Sequence, residues 1–349
     1  MHLYVDISGH GFGHLAQTAP ILNALRERLP QLRLTLRCAL PRDRLSRRVR
    51  GEFTHIATAS DFGLIMKSAL DVDLPATLAA YQEWHKDWEA LVEREARRLT
   101  ELAPDGVLSN VSYLALAAAH RAGIPAIGLG SLHWAAICAA YFRDEPAFRP
   151  IHDQMLAAYG SADAFLRLTP GMAMTDLPRV IDVGPVAEAR RTQRPALPAG
   201  RLVLVAMGGI GLRLPARWPR LAGVHWLLPR AAGLVRNDVT SIEETGFPVS
   251  DLIASVDVVL TKSGYGTFVE AAASGTPVLY VSRPDWPEEA ALSQWLTQVS
   301  LGRALPRAAF EEGAFAEPLL ELLEAPRPEP VVPSGVAEAA DWLATYLAH

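Results

Sequence analysis

The feature that most constrains the fold is an alternation of short apolar runs with longer helical segments, and it occurs twice along the 349 residues. In the first half, the apolar run at residues 3–7 leads into the stretch SGHGFGH and then into a helical pattern. In the second half, the apolar run at residues 202–206 leads into MGGIG. Short strands that alternate with helices are typical of a parallel sheet covered by helices. The sequence therefore predicts an α/β protein made of two Rossmann-like parallel-sheet domains facing a cleft.

A break between the two halves indicates where the domains meet in the sequence. Residues 186–200 are rich in proline, arginine and alanine and show no periodicity, which is typical of an interdomain linker. We predict an N-terminal domain at residues 1–185 and a C-terminal domain at residues 201–334. Residues 335–349 are predicted to hold a last amphipathic helix. Within the first domain, Pro20 suits the first turn of a helix, so we expect that helix to begin near Gln17 or Thr18 and His14 to lie in the preceding loop.

Composition and charge exclude several classes of protein. The formal net charge is -5, whereas binding to nucleic-acid phosphates needs a basic face, so no nucleic-acid partner is expected. Cys38 and Cys138 lie in apolar surroundings and are expected to be buried free thiols in a reducing compartment. No run approaches the about 20 apolar residues of a membrane span, and the opening residues do not resemble a signal peptide. We expect a cytoplasmic protein with at most peripheral membrane contact.

Glycine-rich turns follow predicted strands at three places, where backbone amides can approach a phosphate. The first turn carries Gly9, Gly11 and Gly13. A dinucleotide-binding turn would have the spacing G-x-G-x-x-G and an acidic residue at the end of the second strand. Here the spacing is G-x-G-x-G, and the second strand ends in Leu-Arg-Cys-Ala. A nicotinamide-dependent dehydrogenase is therefore disfavoured.

The other two turns are candidate sites for a nucleoside diphosphate. Small residues at the start of a helix leave amide N–H groups exposed, and the helix dipole adds positive potential. An acidic residue one turn into the helix after the third turn suits a ribose diol; a plain turn with a solvent-facing glutamate is the alternative. The candidate residues are Gly208, Gly209, Lys262, Ser263, Gly264, Gly266, Thr267 and Glu270.

Histidines near the first sheet are candidate catalytic groups. His10 and His14 are four residues apart, but the intervening Gly-Phe-Gly offers neither a helix nor the glutamate of a zinc-binding pair, so no metal is expected. A neutral imidazole can take a proton from an acceptor hydroxyl. His133 follows another predicted strand and is a candidate for the acceptor side. The alternative for each histidine is a packed or capping side chain.

With these residues the chain resembles the GT-B superfamily of glycosyltransferases. It is similar to the bacterial transferase that adds N-acetylglucosamine to the lipid-linked muramoyl pentapeptide, and to the amino-terminal half of plant L-arabinokinases. The resemblance lies in GHGFGH at residues 9–14, in DGVLSN at 105–110, in DVGP at 182–185 and in the long segment at 251–283.

The resemblance implies a metal-independent and typically inverting transfer, with the nucleotide mostly on the C-terminal domain and the last helix joined to the N-terminal one. By this resemblance His14 is the base, Ser263 and Gly264 bind phosphate, Glu270 binds the ribose, and Gly208 and Gly209 form a second loop. Gly11 and Gly13 belong to the acceptor-side turn that carries His10 and His14.

Two departures from the family affect the expected substrate. Where the bacterial transferase has glutamines against the donor sugar, this chain has Glu288 and Glu289, which would favour sugar hydroxyls or be solvated. Gln17 stands where the plant proteins are expected to have an arginine. The donor is therefore taken to be a uridine diphosphate sugar by default, and no further cofactor is expected.

Three functions follow from these features. The first is transfer of a hexosyl or acetamidohexosyl group from a nucleotide sugar to an acceptor hydroxyl. The second is a nucleotide-sugar epimerase or hydrolase, for which Glu288 or Glu289 would face the sugar ring. The third is a non-catalytic module that binds sugar nucleotides. The acceptor is unidentified; the apolar, basic-flanked segment at residues 62–67 is explained equally by contact with a lipid carrier and by a buried element.

Overall fold

The computed structural model of the chain describes residues 1–188, 200–208 and 214–348. The chain divides into two compact units. The first unit comprises Met1–Lys67, Val72–Val186 and Ser334–His349, and the second comprises Ser68–Asp71 and Ala187–Pro333. Most of the predicted linker at 186–200 lies outside the described residues. Each unit is built around one parallel sheet, which confirms the predicted α/β class with two Rossmann-like sheets.

The first unit contains a seven-stranded sheet in the order β3-β2-β1-β4-β5-β6-β7. All neighbouring strands in it are parallel. Strands of such sheets are near-continuous apolar runs, because helices cover them. The order places a topological switch point between β1 and β4, whose carboxyl ends diverge into separate turns. The strands are β1 (His2–Ile7), β2 (Arg33–Arg37), β3 (Thr54–Ile56), β4 (Gly106–Asn110), β5 (Ala126–Gly130), β6 (Ala164–Leu168) and β7 (Val180–Val183).

Between the strands of this sheet the described chain forms seven helices. Asp73 caps the third helix by accepting a hydrogen bond from the amide of Ala76 at 3.2 Å, and the fifth helix ends at Gly123 with a φ of 67°. The helices are α1 (Gly13–Arg28), α2 (Arg42–Ser46), α3 (Leu74–Lys86), α4 (Trp88–Leu102), α5 (Tyr113–Ala122), α6 (Trp134–Phe142) and α7 (Arg149–Gly160).

The start of α1 corrects the prediction. The helix begins at Gly13, so His14 lies in its first turn and not in a loop, and Pro20 lies inside the helix. A proline inside a helix removes one backbone hydrogen bond. Here the cost is offset because the whole stretch from Leu15 to Leu25 is buried, apart from a half-buried Ala16. Because of this burial, the helix begins four residues earlier in the chain than the start near Gln17 that Pro20 alone suggests.

The second unit repeats the same topology with six strands in the order β10-β9-β8-β11-β12-β13. All neighbours are again parallel, and the switch point falls between β8 and β11. The elements are β8 (Arg201–Ala206), β9 (Val224–Leu228), β10 (Val239–Ser241), α8 (Val249–Ser255), β11 (Val258–Lys262), α9 (Tyr265–Ala273), β12 (Val278–Val281), α10 (Glu289–Val299), β13 (Gly302–Leu305), α11 (Arg307–Glu312) and α12 (Ala316–Glu324).

The last helix, α13 (Gly335–Leu347), packs on the first unit. Glu338 accepts a hydrogen bond from the amide of Gly184 at 2.7 Å, and Asp341 pairs with Arg28 of α1 at 2.5 Å. The side chain of Leu347 lies against Gly106, where an added Cβ would be 2.9 Å from it. These contacts fix α13 beside α1 and the amino-terminal end of β4.

Both cysteines are buried free thiols, as the sequence predicts. Burial raises the pKa of Cys38 to about 11 and the pKa of Cys138 to about 12. Thiols with such pKa values are protonated near neutral pH and are poor nucleophiles. We therefore place neither cysteine in a reaction.

Candidate functional site

The first candidate site lies at the switch point of the seven-stranded sheet. Ile7 at the end of β1 is in register with Asn110 at the end of β4, and the amide of Ser8 donates to the carbonyl oxygen of Asn110 at 2.7 Å. The chain then turns through Gly11, which has a φ of 81° favouring glycine, and enters α1 at Gly13. This turn delivers both His10 and His14 to the carboxyl edge of the sheet, where ligands bind in folds of this kind.

His14 is held in one defined orientation. Its side chain is 94% buried, and its Nδ1 lies 2.8 Å from Oδ1 of Asn110. The amide nitrogen of Asn110 donates to Oε1 of Gln17 at 3.0 Å, and the amide nitrogen of Gln17 donates to the hydroxyl of Ser131 at 2.8 Å. Because the Asn110 amide oxygen can only accept, Nδ1 of His14 carries the proton. The neutral ring therefore has its lone pair on Nε2.

Two opposing effects set the basicity of this imidazole. Burial is the larger and lowers the pKa of His14, while the hydrogen bond to Asn110 and the carboxylate of Asp61 both favour the charged ring. The pKa of His14 is consequently below its ordinary value. A histidine kept neutral near pH 7 can accept a proton.

Asp61 is the residue of this site that sequence reasoning missed. It is buried, and one carboxylate oxygen accepts from the hydroxyl of Ser8 at 2.8 Å and from the amide of Gly9 at 3.4 Å. The other oxygen accepts from the indole N–H of Trp134 at 2.9 Å. Burial raises the pKa of Asp61, whereas these donors and His14 oppose the rise. Asp61 therefore ties the β1–α1 turn to Trp134.

Trp134 in turn contacts both histidines. Its ring centroid lies 5.1 Å from that of His10, in an edge-on arrangement, and 5.8 Å from that of His14. Nδ1 of His10 lies 3.4 Å from the amide of Leu64. Gly63 fits between these rings with a φ of 61°; a Cβ there would be 2.7 Å from Trp134 and 2.8 Å from His10. Through Gly63, the segment at 62–67 therefore packs against His10 and Trp134.

His133 does not line this site, which corrects the prediction that it faces the acceptor. Its side chain is fully buried. Nδ1 accepts a hydrogen bond from the amide of Ala136 at 3.2 Å, capping α6, and Nε2 is 3.1 Å from a carboxylate oxygen of Asp176. With both ring nitrogens engaged and no exposed surface, His133 has a structural role.

The second candidate site lies at the switch point of the six-stranded sheet. Thr261 of β11 is in register with Ala206 of β8. The turn that follows β8 therefore adjoins the turn that follows β11: Lys262 extends along Gly208, where an added Cβ would be 3.5 Å from its Cε. Gly208 has a φ of 83°, which favours glycine. Gly209 lies outside the described residues.

The start of α9 offers amide groups to an anion. Gly264 precedes the helix, and no side chain caps it. Gly266 and Thr267 lie in the first turn, where a helix supplies no carbonyl partner for the backbone N–H groups. Lys262 adds positive charge; burial and the neighbouring Arg283 lower the pKa of its ammonium group to about 8. Glu270 lies further along the same helix and is buried. The structure therefore brings together the predicted diphosphate-binding residues that it describes.

The two glutamates predicted to meet the donor sugar are both buried. Glu289 accepts from the hydroxyl of Ser263 at 2.5 Å and from the amide of Arg283 at 2.6 Å through Oε2, and from the hydroxyl of Ser282 at 2.7 Å through Oε1. The indole N–H of Trp286 lies 3.4 Å from a carboxylate oxygen of Glu288. Both oxygens of Glu289 are therefore engaged inside the protein and the side chain is not solvated, whereas contact of either glutamate with a donor sugar stays a prediction.

The described residues contain neither a candidate metal centre nor a helix suited to a membrane. Across residues 1–188, 200–208 and 214–348, no group of three or more histidine, cysteine, aspartate or glutamate side chains is placed to hold a metal ion. In those ranges no helix combines the length and apolar character that crossing a bilayer requires.

Comparison with solved structures defines the fold. CalG4, the calicheamicin glycosyltransferase, matches with a TM-score of 0.65 at 16% sequence identity, covering 100% of this chain and 98% of that chain. UGT89C1 of Arabidopsis thaliana, solved with UDP, matches with a TM-score of 0.60 at 13% identity, covering 100% and 99%. The chain therefore has the GT-B fold, as the resemblance in its sequence predicts. No protein-family model matches the chain.

Curated relatives agree with this resemblance. L-arabinokinase of Arabidopsis thaliana is 26% identical over 338 residues, covering 90% of this chain and 31% of that protein. A transferase of Methylorubrum populi, the UDP-N-acetylglucosamine--N-acetylmuramyl-(pentapeptide) pyrophosphoryl-undecaprenol N-acetylglucosamine transferase, is 32% identical over 104 residues, or 28% of each chain. The chain thus covers less than a third of the length of these relatives.

Proposed function

We propose that the chain is a glycosyltransferase that moves a hexosyl or acetamidohexosyl group from a nucleoside-diphosphate sugar to an acceptor hydroxyl, with inversion and without a metal ion. The fold and the names of the relatives support sugar transfer. The observation that carries the proposal is the 2.8 Å contact between Nδ1 of His14 and the amide oxygen of Asn110, from which we infer that Nδ1 carries the proton and that Nε2 is the basic atom.

In the proposed reaction the acceptor oxygen attacks the anomeric carbon of the donor. The acceptor proton passes to Nε2 of His14, and the bond from the anomeric carbon to the diphosphate oxygen breaks. The imidazolium that forms is stabilised by the hydrogen bond to Asn110 and by the carboxylate of Asp61, both of which favour protonation of His14. A single attack of this kind inverts the configuration at the anomeric carbon.

The leaving diphosphate gains negative charge as that bond breaks. Amides at the start of α9 and the ammonium group of Lys262 are suited to stabilise it without reorganising. Glu270, on the same helix, is assigned to the ribose hydroxyls. These groups take the role that a divalent cation has in other transferases, and for that reason the proposal needs no metal.

A uridine diphosphate sugar is the proposed donor. UGT89C1 was solved with UDP, and the name of the Methylorubrum populi relative specifies a UDP sugar. That relative acts on a lipid-linked acceptor, so lipid-linked and soluble hydroxyl compounds are both acceptor candidates here. An epimerase or hydrolase is less well supported, because it needs a carboxylate at the sugar ring, and both oxygens of Glu289, one of the two candidates, already accept hydrogen bonds from the protein.

The test is a product analysis with a panel of UDP sugars and hydroxyl acceptors, with and without a chelator. We expect His14→Ala to abolish transfer while UDP still binds, because the base is lost and the diphosphate site is not. His120→Ala is the matched control, since His120 is exposed on α5. Normal turnover by His14→Ala would refute the assigned base, and conversion of the donor without an acceptor product would refute transfer.

A further inference from the structure

The carboxylate of Glu289 joins three separate segments of the second unit. Glu289 is the first residue of α10. Its carboxylate accepts hydrogen bonds from Ser263 in the turn after β11 and from Ser282 and Arg283 after β12. All three bonds are between 2.5 and 2.7 Å, and the side chain is only 7% exposed. A carboxylate has about four lone-pair positions, so three donors occupy most of its capacity.

These bonds also define what Ser263 can do. Its hydroxyl proton is donated to Glu289, so the hydroxyl has no proton to give to a phosphate oxygen. Gly264 is the N-cap of α9. The bond to Glu289 therefore fixes the residue that immediately precedes this N-cap. The orientation of the amides at the start of α9 therefore depends on a side chain that comes 26 residues later in the chain.

We propose that Glu289 is a positioning residue that holds the Ser263–Gly264 turn in the geometry that binds the donor diphosphate, and is not a ligand of the donor sugar. The inference rests on the proposed function for the identity of the ligand. Glu289 acts through Ser263, because a bond to a turn fixes the direction of its amides, and preorganised amides bind a diphosphate without an ordering cost.

Substitutions at Glu289, Ser263 and Ser282 distinguish a positioning role of Glu289 from direct contact with the donor sugar. We expect Glu289→Ala and Ser263→Ala each to weaken UDP binding by about tenfold, in line with the loss of one charge-assisted hydrogen bond. The double variant should bind UDP no more weakly than either single one, because both substitutions break the same bond. Ser282→Ala is the matched control; it removes a bond to Glu289 that does not reach the turn, and it should leave UDP affinity within about twofold.

Glu289→Gln tests whether an uncharged hydrogen-bond acceptor at this position is sufficient to hold the turn. The glutamine oxygen can accept from Ser263 and Arg283, while its amide can donate to the hydroxyl of Ser282. We expect this variant to retain UDP affinity within about threefold, so it also serves if Glu289→Ala does not fold. Affinity for uridine, which has no phosphates, should be unchanged in every variant.

Calorimetry with UDP, uridine and a UDP sugar provides the measurement. If Glu289 instead contacts the sugar, Glu289→Ala will bind UDP as tightly as the native protein does and will lose only the additional affinity that the sugar gives to the UDP sugar. That result would overturn the inference. Hydrogen exchange of the amides at residues 263–267 gives a readout that needs no ligand. Unchanged exchange in Glu289→Ala would overturn the inference, whereas faster exchange in a protein whose native form binds no UDP would support the positioning role and refute the proposed function.

Discussion

Replacing Gly63 by alanine tests the packing of the histidine site most directly. Gly63 has a φ of 61°, and a Cβ there would lie 2.7 Å from Cζ2 of Trp134 and 2.8 Å from both Cβ and Cγ of His10. The left-handed conformation costs alanine about 1–2 kcal/mol. Forcing a methyl group between two packed rings adds about 1–3 kcal/mol. We therefore expect Gly63→Ala to lower the free energy of unfolding by about 2–5 kcal/mol.

Gly123→Ala provides the matched control. Gly123 has a φ of 67°, belongs to the same unit and has nothing within 4 Å of an added Cβ. Gly123→Ala should therefore lower the free energy of unfolding only by the cost of the left-handed conformation, about 1–2 kcal/mol. Urea denaturation followed by circular dichroism gives both values. Equal losses in the two variants would refute the inference that Gly63 is required by the close approach of Trp134 and His10.

Three further predictions concern the two candidate sites. Asp61→Asn removes a charge that raises the pKa of His14, so the acid limb of the pH–rate profile should move to lower pH and the plateau should fall; a limb that stays in place contradicts the electrostatic role of Asp61. UDP affinity should fall as the pH rises through about 8, where Lys262 loses its proton, and Lys262→Arg should remove that dependence in calorimetry at pH 7 and 9. Glu270→Ala should weaken UDP binding about tenfold but leave 2′-deoxy-UDP less affected; equal losses would refute its assignment to the ribose.

The architecture could be predicted from sequence because its signals are local. The run that precedes KSGYGT forms β11, and the small residues after it start α9, as the strand–turn–helix pattern indicates. Both sheets follow from the same alternation, since buried parallel strands are short apolar runs. The boundary at α1 was the exception: Pro20 is a local signal for a helix start, and tertiary burial outweighed it.

The side-chain geometry could not be predicted, because each contact joins distant positions. Asp61 meets Ser8 and Trp134, which are 53 and 73 residues away, and no motif marks it. His133 follows a strand, as a site residue would, but its role is set by Asp176, 43 residues later. Two adjacent glutamates look equivalent in the sequence, and only the fold shows that Glu289 reaches the turn at Ser263.

Charges at the two switch points support the proposed assignment of the diphosphate to the second unit, although both units have glycine-rich turns. The first switch point holds the carboxylate of Asp61 and a largely buried imidazole whose pKa is lowered by burial. A diphosphate there would meet like charge from Asp61. The second switch point holds the ammonium group of Lys262, with Arg283 close enough to lower its pKa. The carboxylate of Glu288 opposes part of this shift, and an anion beside Lys262 would further relieve the repulsion between the two cations. The second switch point also holds the buried carboxylates of Glu288 and Glu289, so the proposed assignment of the leaving group to this half of the chain rests on the two cations beside the start of α9 rather than on the number of glycines.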